Sequence, residues 1–226
     1  MKVSRRIVLI DSCGGWPGAS DAAAFADDGG HVERREPAPD PSGHGSRVAQ
    51  LLTAGDAAVE LLLAQVFLDA RPTSAAAVAA AVDWAVAAHA DLIHMSLGLA
   101  ADRGVLSAAV ARAVGWGCLI VAAMPARGAL AYPAGYTGVI RGTGDARCAP
   151  GELSHLGDWL YGGCPRFEAA RPGKTPGAVV GGASIGAAWV TRSILHGPQA
   201  PTANGTVQAL TARALYQGPE GRGRKL

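Results

Sequence analysis

The chain has 226 residues, 49% of them hydrophobic and only 17% charged, with a mean hydropathy of +0.18. That composition supplies one sizeable core and excludes both an intrinsically disordered chain and a disulfide-stapled mini-domain. Lys and Arg number 20 against 18 Asp and Glu, a net charge of +2 that offers no electrostatic footprint for nucleic acid or an anionic membrane, and no apolar run reaches the length of a membrane span.

The N-terminus begins like a signal peptide, but Ile7-Val8-Leu9-Ile10 stops after four residues at Asp11 and so reads as a buried first strand, Arg6–Ile10. Gly29–Ser42 is rich in Gly, Pro and charge and reads as a loop. It is followed by a helix from Gly45 to Ala54 and a strand from Leu61 to Leu68. Between Thr73 and Ala90, Val78, Val82 and Val86 recur at i, i+4 behind a capping Thr73 or Ser74, which predicts a crossover helix. Strand Asp91–Ser96, helix Gly104–Val114 and strands Cys118–Ala123 and Val139–Gly142 follow. Then come a loop over Cys148–Pro176, helices Ser184–His196 and Thr206–Gln217, and a frayed tail from Gly218 to Leu226. Strands alternating with helices are the mark of βαβ units, so the expectation is an α/β fold, one domain over 1–226, with a mostly parallel central sheet and helices on both faces. Trp84, Trp116, Trp159 and Trp189 are expected to fill core or pocket volume. Cys13, Cys118, Cys148 and Cys164 have no metal-site spacing and read as reduced thiols of a cytoplasmic protein, although sequence leaves disulfides open.

Three places carry possible chemistry. Asp11 directly follows four aliphatic residues, at the carboxyl end of a strand where a parallel sheet opens onto its ligand crevice; taken alone it is a strand-end turn residue. His44 lies between two glycines at the entry to an apolar helical run, where a helix-start residue is commoner than a catalyst. Ser184 follows a glycine-rich turn at a helix start, where an N-cap is the ordinary explanation and a nucleophile with its own N–H facing an oxyanion is the functional one. Together, Asp, His and Ser in that chain order supply an orienter, a base and a nucleophile for acyl transfer.

On these residues the chain resembles the subtilisin-like serine proteases. Val8-Leu9-Ile10-Asp11-Ser12 is similar to their aspartate strand, Gly43-His44-Gly45-Ser46-Arg47-Val48-Ala49 to their histidine motif, and Gly182-Ala183-Ser184-Ile185-Gly186-Ala187 to their serine motif. Ile93-His94-Met95-Ser96-Leu97-Gly98 resembles the strand whose Ser-Leu-Gly backbone pairs with substrate and lines the P1 pocket. Tyr132-Pro133-Ala134-Gly135-Tyr136 and Leu153-Ser154-His155-Leu156-Gly157 also fit. The resemblance implies a subtilisin-like fold, catalytic Asp11, His44 and Ser184, and substrate contacts at Ser96, Leu97, Gly98, Met124 and Pro125. It also implies an oxyanion site using the Ser184 backbone N–H.

The departures are as informative. Ala126 stands where the family's oxyanion-hole asparagine belongs, and loss of such a donor costs about 3–4 kcal/mol unless another replaces it. Pro125 replaces a glycine of the pocket wall, Arg47 a second histidine, and Ala188-Trp189 a Pro-His pair. These changes argue against a general digestive protease. With Asp11 so near the start of the sequence, a protease with no pro-domain and no signal peptide is expected. The expectation is a cytoplasmic endopeptidase of limited specificity that removes a leader from a polypeptide precursor. Its kin would be the small proteases that mature peptide products or the crosslinked subunit of quinohemoprotein amine dehydrogenase, and it would associate with other maturation enzymes. No cofactor, metal, nucleic-acid or membrane partner is expected. His31, His89, His94, His155 and His196 are read as structural, and Asp27 and Asp28 as a solvated acidic loop rather than a calcium site. A peptide-binding pseudoprotease and a ligating or cyclising acyl transferase are the rival readings.

Overall fold

The computed structural model describes residues 5–55, 58–69, 71–167 and 181–219. The chain runs β1 (Arg5–Asp11), β2 (Asp21–Asp28), β3 (His31–Arg35), α1 (His44–Thr53), β4 (Val59–Gln65), α2 (Ala75–Ala87), β5 (Leu92–Met95) and α3 (Gly104–Gly115). It continues through β6 (Leu119–Ala123), β7 (Val139–Gly144), β8 (Leu153–Gly157), β9 (Leu160–Gly163), α4 (Ala183–Leu195), α5 (Ala203–Arg213) and β10 (Tyr216–Gln217). The strands form one sheet in the order β10-β8-β9-β7-β6-β5-β1-β4-β2-β3. From β9 to β2 every neighbouring pair is parallel, and antiparallel pairs occur only at β8–β9 and β2–β3.

Parallel strands covered on both faces read as continuous apolar runs, and β1 shows why: Ile7, Val8, Leu9 and Ile10 are all fully buried. Their side chains alternate, Val8 and Ile10 entering the core under α2 and α3, Ile7 and Leu9 the core under α1 and α4. Strand β1 lies between β4 and β5, so the chain leaves it toward one side and later returns to the other. The carboxyl end of β1 is therefore the switch point at which such sheets open a crevice.

At the β4 side one expectation fails and one strand lies where none was expected. The loop assigned to Gly29–Ser42 contains β3, and the segment before it is β2, a strand in which alanine is the main residue. Its strand form comes from pairing with β4, Asp21 to Ala24 against Leu62 to Gln65, which overrides alanine's weak β preference. Gly29 and Gly30 make the two-residue turn of the β2–β3 hairpin with φ of 64° and 95°, the left-handed pair that such hairpins demand. Strand β3 is the sheet's exposed edge and carries Glu33, Arg34 and Arg35, charges that discourage a further strand from adding.

At the other edge the loop expected over Cys148–Pro176 holds β8 and β9, with 168–176 outside the described residues. The last helix ends at Arg213, and Tyr216–Gln217 pair with β8. Gly218 is tied down rather than frayed, its N–H bonded to the His155 carbonyl and its own carbonyl to Arg147; residues 220–226 of the expected tail lie outside the described residues. Trp116 is 77% exposed beyond α3, so it fills no core, but it lines a surface pocket with Val86, His89 and Leu119. The four cysteines are buried and free. Among the described residues no helix is long and apolar enough to cross a membrane, and no group of three or more His, Cys, Asp or Glu could hold a metal.

Helix α4 lies against β6, β7 and β9, and Gly186 lets its first turn come close: a Cβ there would overlap the backbone of Thr143 and Gly144. The helix start is thereby pressed onto the carboxyl end of β7. Gly186→Ala is expected to lower stability by about 1–3 kcal/mol, read from the urea midpoint, because the obstructing atoms are backbone and cannot rotate away.

Candidate active site

Asp11 ends β1 and is only 2% exposed. A buried carboxylate needs partners, and this one has three donors. The Ser12 N–H at 2.6 Å and hydroxyl at 3.1 Å reach Oδ1, and His44 Nδ1 lies 2.9 Å from Oδ1 and 3.0 Å from Oδ2.

His44 is the first residue of α1, and the turn before that helix is held by side chains that sequence reasoning passed over. Asp40 accepts from the N–H groups of Ser42 (3.1 Å), Gly43 (2.8 Å) and Ser46 (2.8 Å) and from the Ser46 hydroxyl. It thus satisfies the orphan donors of the helix start from outside the helix. Ser42 Oγ accepts the His44 N–H and Ser12 Oγ the Gly45 N–H, and the two hydroxyls are 3.0 Å apart. Gln65, fully buried at the end of β4, donates to the carbonyls of Ser12 and Ala38 and accepts from the Ala38 N–H. The only local signal was an aspartate shortly before a Ser-Gly-His-Gly-Ser run; Gln65 gave none.

Ser184 sits in the first turn of α4, half-buried. Its hydroxyl donates to the Ser96 carbonyl at 3.2 Å, just past the end of β5, and among the described residues it makes no hydrogen bond to His44. Ser96 and Leu97 are buried and Gly98 is exposed. Strand β5 stops at Met95, one residue before the expected end; Leu99 then pairs antiparallel with Tyr132, and the backbone groups of Leu97 and Gly98 bond to no other described residue. Met124 is half-buried, and Pro125 and Ala126 lie exposed after β6. A cavity of about 580 Å³ brings together Asp11, His44 and Ser96, with Phe67 and Pro72 beside them and the Asp69–Arg71 ion pair among its lining residues. Leu97, Gly98, Met124, Pro125 and Ser184 do not line it.

The electrostatics separate three groups. The hydrogen bond to Asp11 raises the His44 pKa above its usual 6.5; burial and Arg47 oppose the rise, and the charges of Asp11 and Asp40 add to it. Partial burial would raise the Asp40 carboxyl, but the hydrogen bonds from Ser46, Ser12 and Ser42 prevail and hold it at about 2. Burial pushes His94, in the middle of β5, down to about 4 and keeps it neutral.

The family model for the subtilases, the S8 peptidases, matches residues 17–147, more than half of the chain. The chain belongs to the subtilase family. It is a subtilisin-like serine endopeptidase, and the matched segment contains His44 and Ser96. Solved structures agree in fold. A variant of the protease domain of PatA superposes with a TM-score of 0.60 at 20% identity, covering 84% of this chain and 78% of that one. The prenylagaramide maturation protease PagA gives 0.59 at 19% identity, covering 84% and 74%. The patellamide maturation protease PatA gives 0.58 at 21% identity, covering 84% and 76%. No curated protein matches the chain.

Because the His44 pKa is raised, protonated His44 favours the folded chain below pH 6.5, and that contribution is lost as pH rises through the higher folded value. A base must be neutral to act, so the acid limb of kcat/KM is expected to rise with its midpoint above 6.5, and a midpoint at or below 6.5 would contradict it. For Asp40 the sign is opposite: its stabilisation is present above pH 3.8 and lost as pH falls toward about 2. At neutral pH Asp40→Ala is expected to cost about 0.5–2 kcal/mol of stability by urea denaturation, the scale of losing a helix-cap acceptor.

Proposed function

We propose that Asp11, His44 and Ser184 form the catalytic triad and that the enzyme cuts a specific polypeptide precursor, removing its leader, in the cytoplasm. The observation that carries the reading is the Asp11–His44 pair, fixed at the sheet's switch point beside an apolar-walled cavity that also reaches Ser96. In the catalytic step the Ser184 hydroxyl turns from the Ser96 carbonyl to His44 Nε2, loses its proton there and attacks the scissile carbonyl. Asp11 keeps the His44 Nδ1 proton in place and stabilises the imidazolium, which then protonates the leaving amine. Water and the same base release the acyl group.

An extended substrate has a ready edge in Ser96-Leu97-Gly98, whose last two residues have unpaired backbone groups among the described residues. The Ser184 N–H, in the first turn of α4 where the helix dipole is positive, serves the oxyanion. Ala126 provides no side-chain donor, so the second donor comes from a nearby backbone N–H or the Arg127 guanidinium. Met124 and Pro125 narrow the P1 site toward small side chains. The limited-processing reading draws on those substitutions and on PatA and PagA, whose names make them maturation proteases. The free, buried cysteines favour a reducing compartment.

A fluorophosphonate probe is expected to label the native enzyme and not Ser184→Ala. Ser184→Ala and His44→Ala should each lose about 10⁴-fold or more of peptidase turnover with the fold intact by circular dichroism. Turnover retained in Ser184→Ala would overturn the triad, and an unlabelled native enzyme would favour a peptide-binding role.

A further inference from the structure

The centre of the sheet contains a polar bridge that the triad does not use. His94 is fully buried in β5, paired on either side with Leu9 of β1 and Val121 of β6. Both ring nitrogens are engaged: Nδ1 lies 2.8 Å from the Thr191 hydroxyl of α4 and Nε2 lies 2.7 Å from the Ser96 hydroxyl. Strand alternation puts His94 and Ser96 on one face of β5, and a seven-residue spacing puts Ser184 and Thr191 on one side of α4. The helix and the strand are therefore joined twice, once at Ser184 to the Ser96 carbonyl and again two helical turns on through His94. An aliphatic residue would fill the position without the desolvation of an imidazole, but it would leave two buried hydroxyls unjoined.

We propose that His94 is a positioning residue: bridging Thr191 to Ser96, it fixes how far the Ser184 end of α4 stands from the segment against which substrate lies. The inference rests on the triad reading above. The neutral imidazole matches the bridge, with one nitrogen donating and the other accepting while the two hydroxyls take the complementary roles. The charges that reach it are those of Asp11, which raises its pKa, and His44, which lowers it, against the dominant effect of burial. Its mechanical role follows from distance: a misplacement of about 1 Å between nucleophile and carbonyl costs as much as 10²-fold in rate, whereas substrate affinity is set by the strand and the pockets.

The test is Thr191→Val, which keeps the side-chain shape and removes the hydroxyl, beside Thr191→Ser, which restores it. On full-length enzyme whose thermal unfolding is read in parallel, Thr191→Val is expected to lose about tenfold or more in both kcat and fluorophosphonate labelling rate, with KM within about twofold. Thr191→Ser should stay within about twofold of the parent in all three. Should Thr191→Val fail to fold, Ser96→Ala removes the hydroxyl at the other end of the bridge, keeps the backbone carbonyl and carries the same expectation. A Val variant that keeps the parent's kcat overturns the positioning role, as does a KM that rises in step with the fall in kcat. A Ser variant as impaired as the Val variant overturns it too. Each of these leaves the triad standing, whereas a parent that does not label overturns the triad reading and this inference together.

Discussion

Burying the Asp11 carboxylate is the constraint from which the site's architecture follows. A charge 2% exposed at the end of a central strand is tolerable only if hydrogen-bond donors surround it, and the chain provides them from Ser12 and His44. Meeting that demand fixes the start of α1, since His44 must arrive with its ring edge facing the carboxylate. Fixing the start of α1 in turn requires Asp40, Ser42 and Ser12 to take up the free N–H groups of the turn, and Gln65 to tie residue 38 to the strand end. The polar network is thus one connected structure, with apolar cores on both faces of the sheet beneath it.

What could be read in the sequence follows the physics of each segment. Strands β1, β4, β5 and β6 are largely apolar because they are buried on both faces, so their presence is visible without any partner, and β7 shows itself by Val139 and Ile140. The expectation for β4 misses its first two residues and runs three past its end, because Val66, Phe67 and Leu68 are as apolar as the strand itself; Val66 still bonds to the Asp11 carbonyl, and Phe67 lines the cavity. Strand β2 is a strand only because β4 lies beside it, and its alanines carry no signal of that; the Asp-Gly-Gly-His turn behind it is the one local hairpin cue in the segment. Strands β8 and β9 are hidden by Gly157, Gly162 and Gly163, which local propensity reads as turns. Asp11, His44 and Ser184 each stand in a short run of adjacent residues, a pattern the sequence displays directly. Gln65 and the His94–Thr191 contact are long-range pairings that a chain read residue by residue has no way to show, whereas Asp40 bonds to Ser42, Gly43 and Ser46 close by, a local pattern too common to single it out.

Helix α4 shows how packing and chemistry share residues. Its first turn must lie against β7 for Ser184 to sit at the strand ends, and the sheet admits that approach because Gly186 has no side chain and Gly142 makes room for Ala187. Farther along, Trp189, Val190 and Ile194 bury the helix in the same core as Ile7 and Leu9. The apolar surface holds the helix to the sheet but is indifferent to sliding by a fraction of a turn, because hydrophobic burial is non-directional. Directional bonds are what can set the remaining coordinate.

Ala126 puts no side-chain donor in the loop after β6. An oxyanion donor on a side chain has to be aimed, and the loop after β6, exposed from Pro125 to Leu130, offers little packing with which to aim one. A backbone N–H in the first turn of α4 is already aimed by the helix, and the helix is already held by Gly186, Ser96 and Thr191. Neither Met124 nor Pro125 lines the cavity beside His44, so that cavity and the loop after β6 are separate surfaces. Met124 and Pro125 are bulky at the start of that loop and Pro125 has no N–H, so its first residues are poorly suited to hold a donor, whereas the N–H groups of the first turn of α4 are held in place by the helix itself.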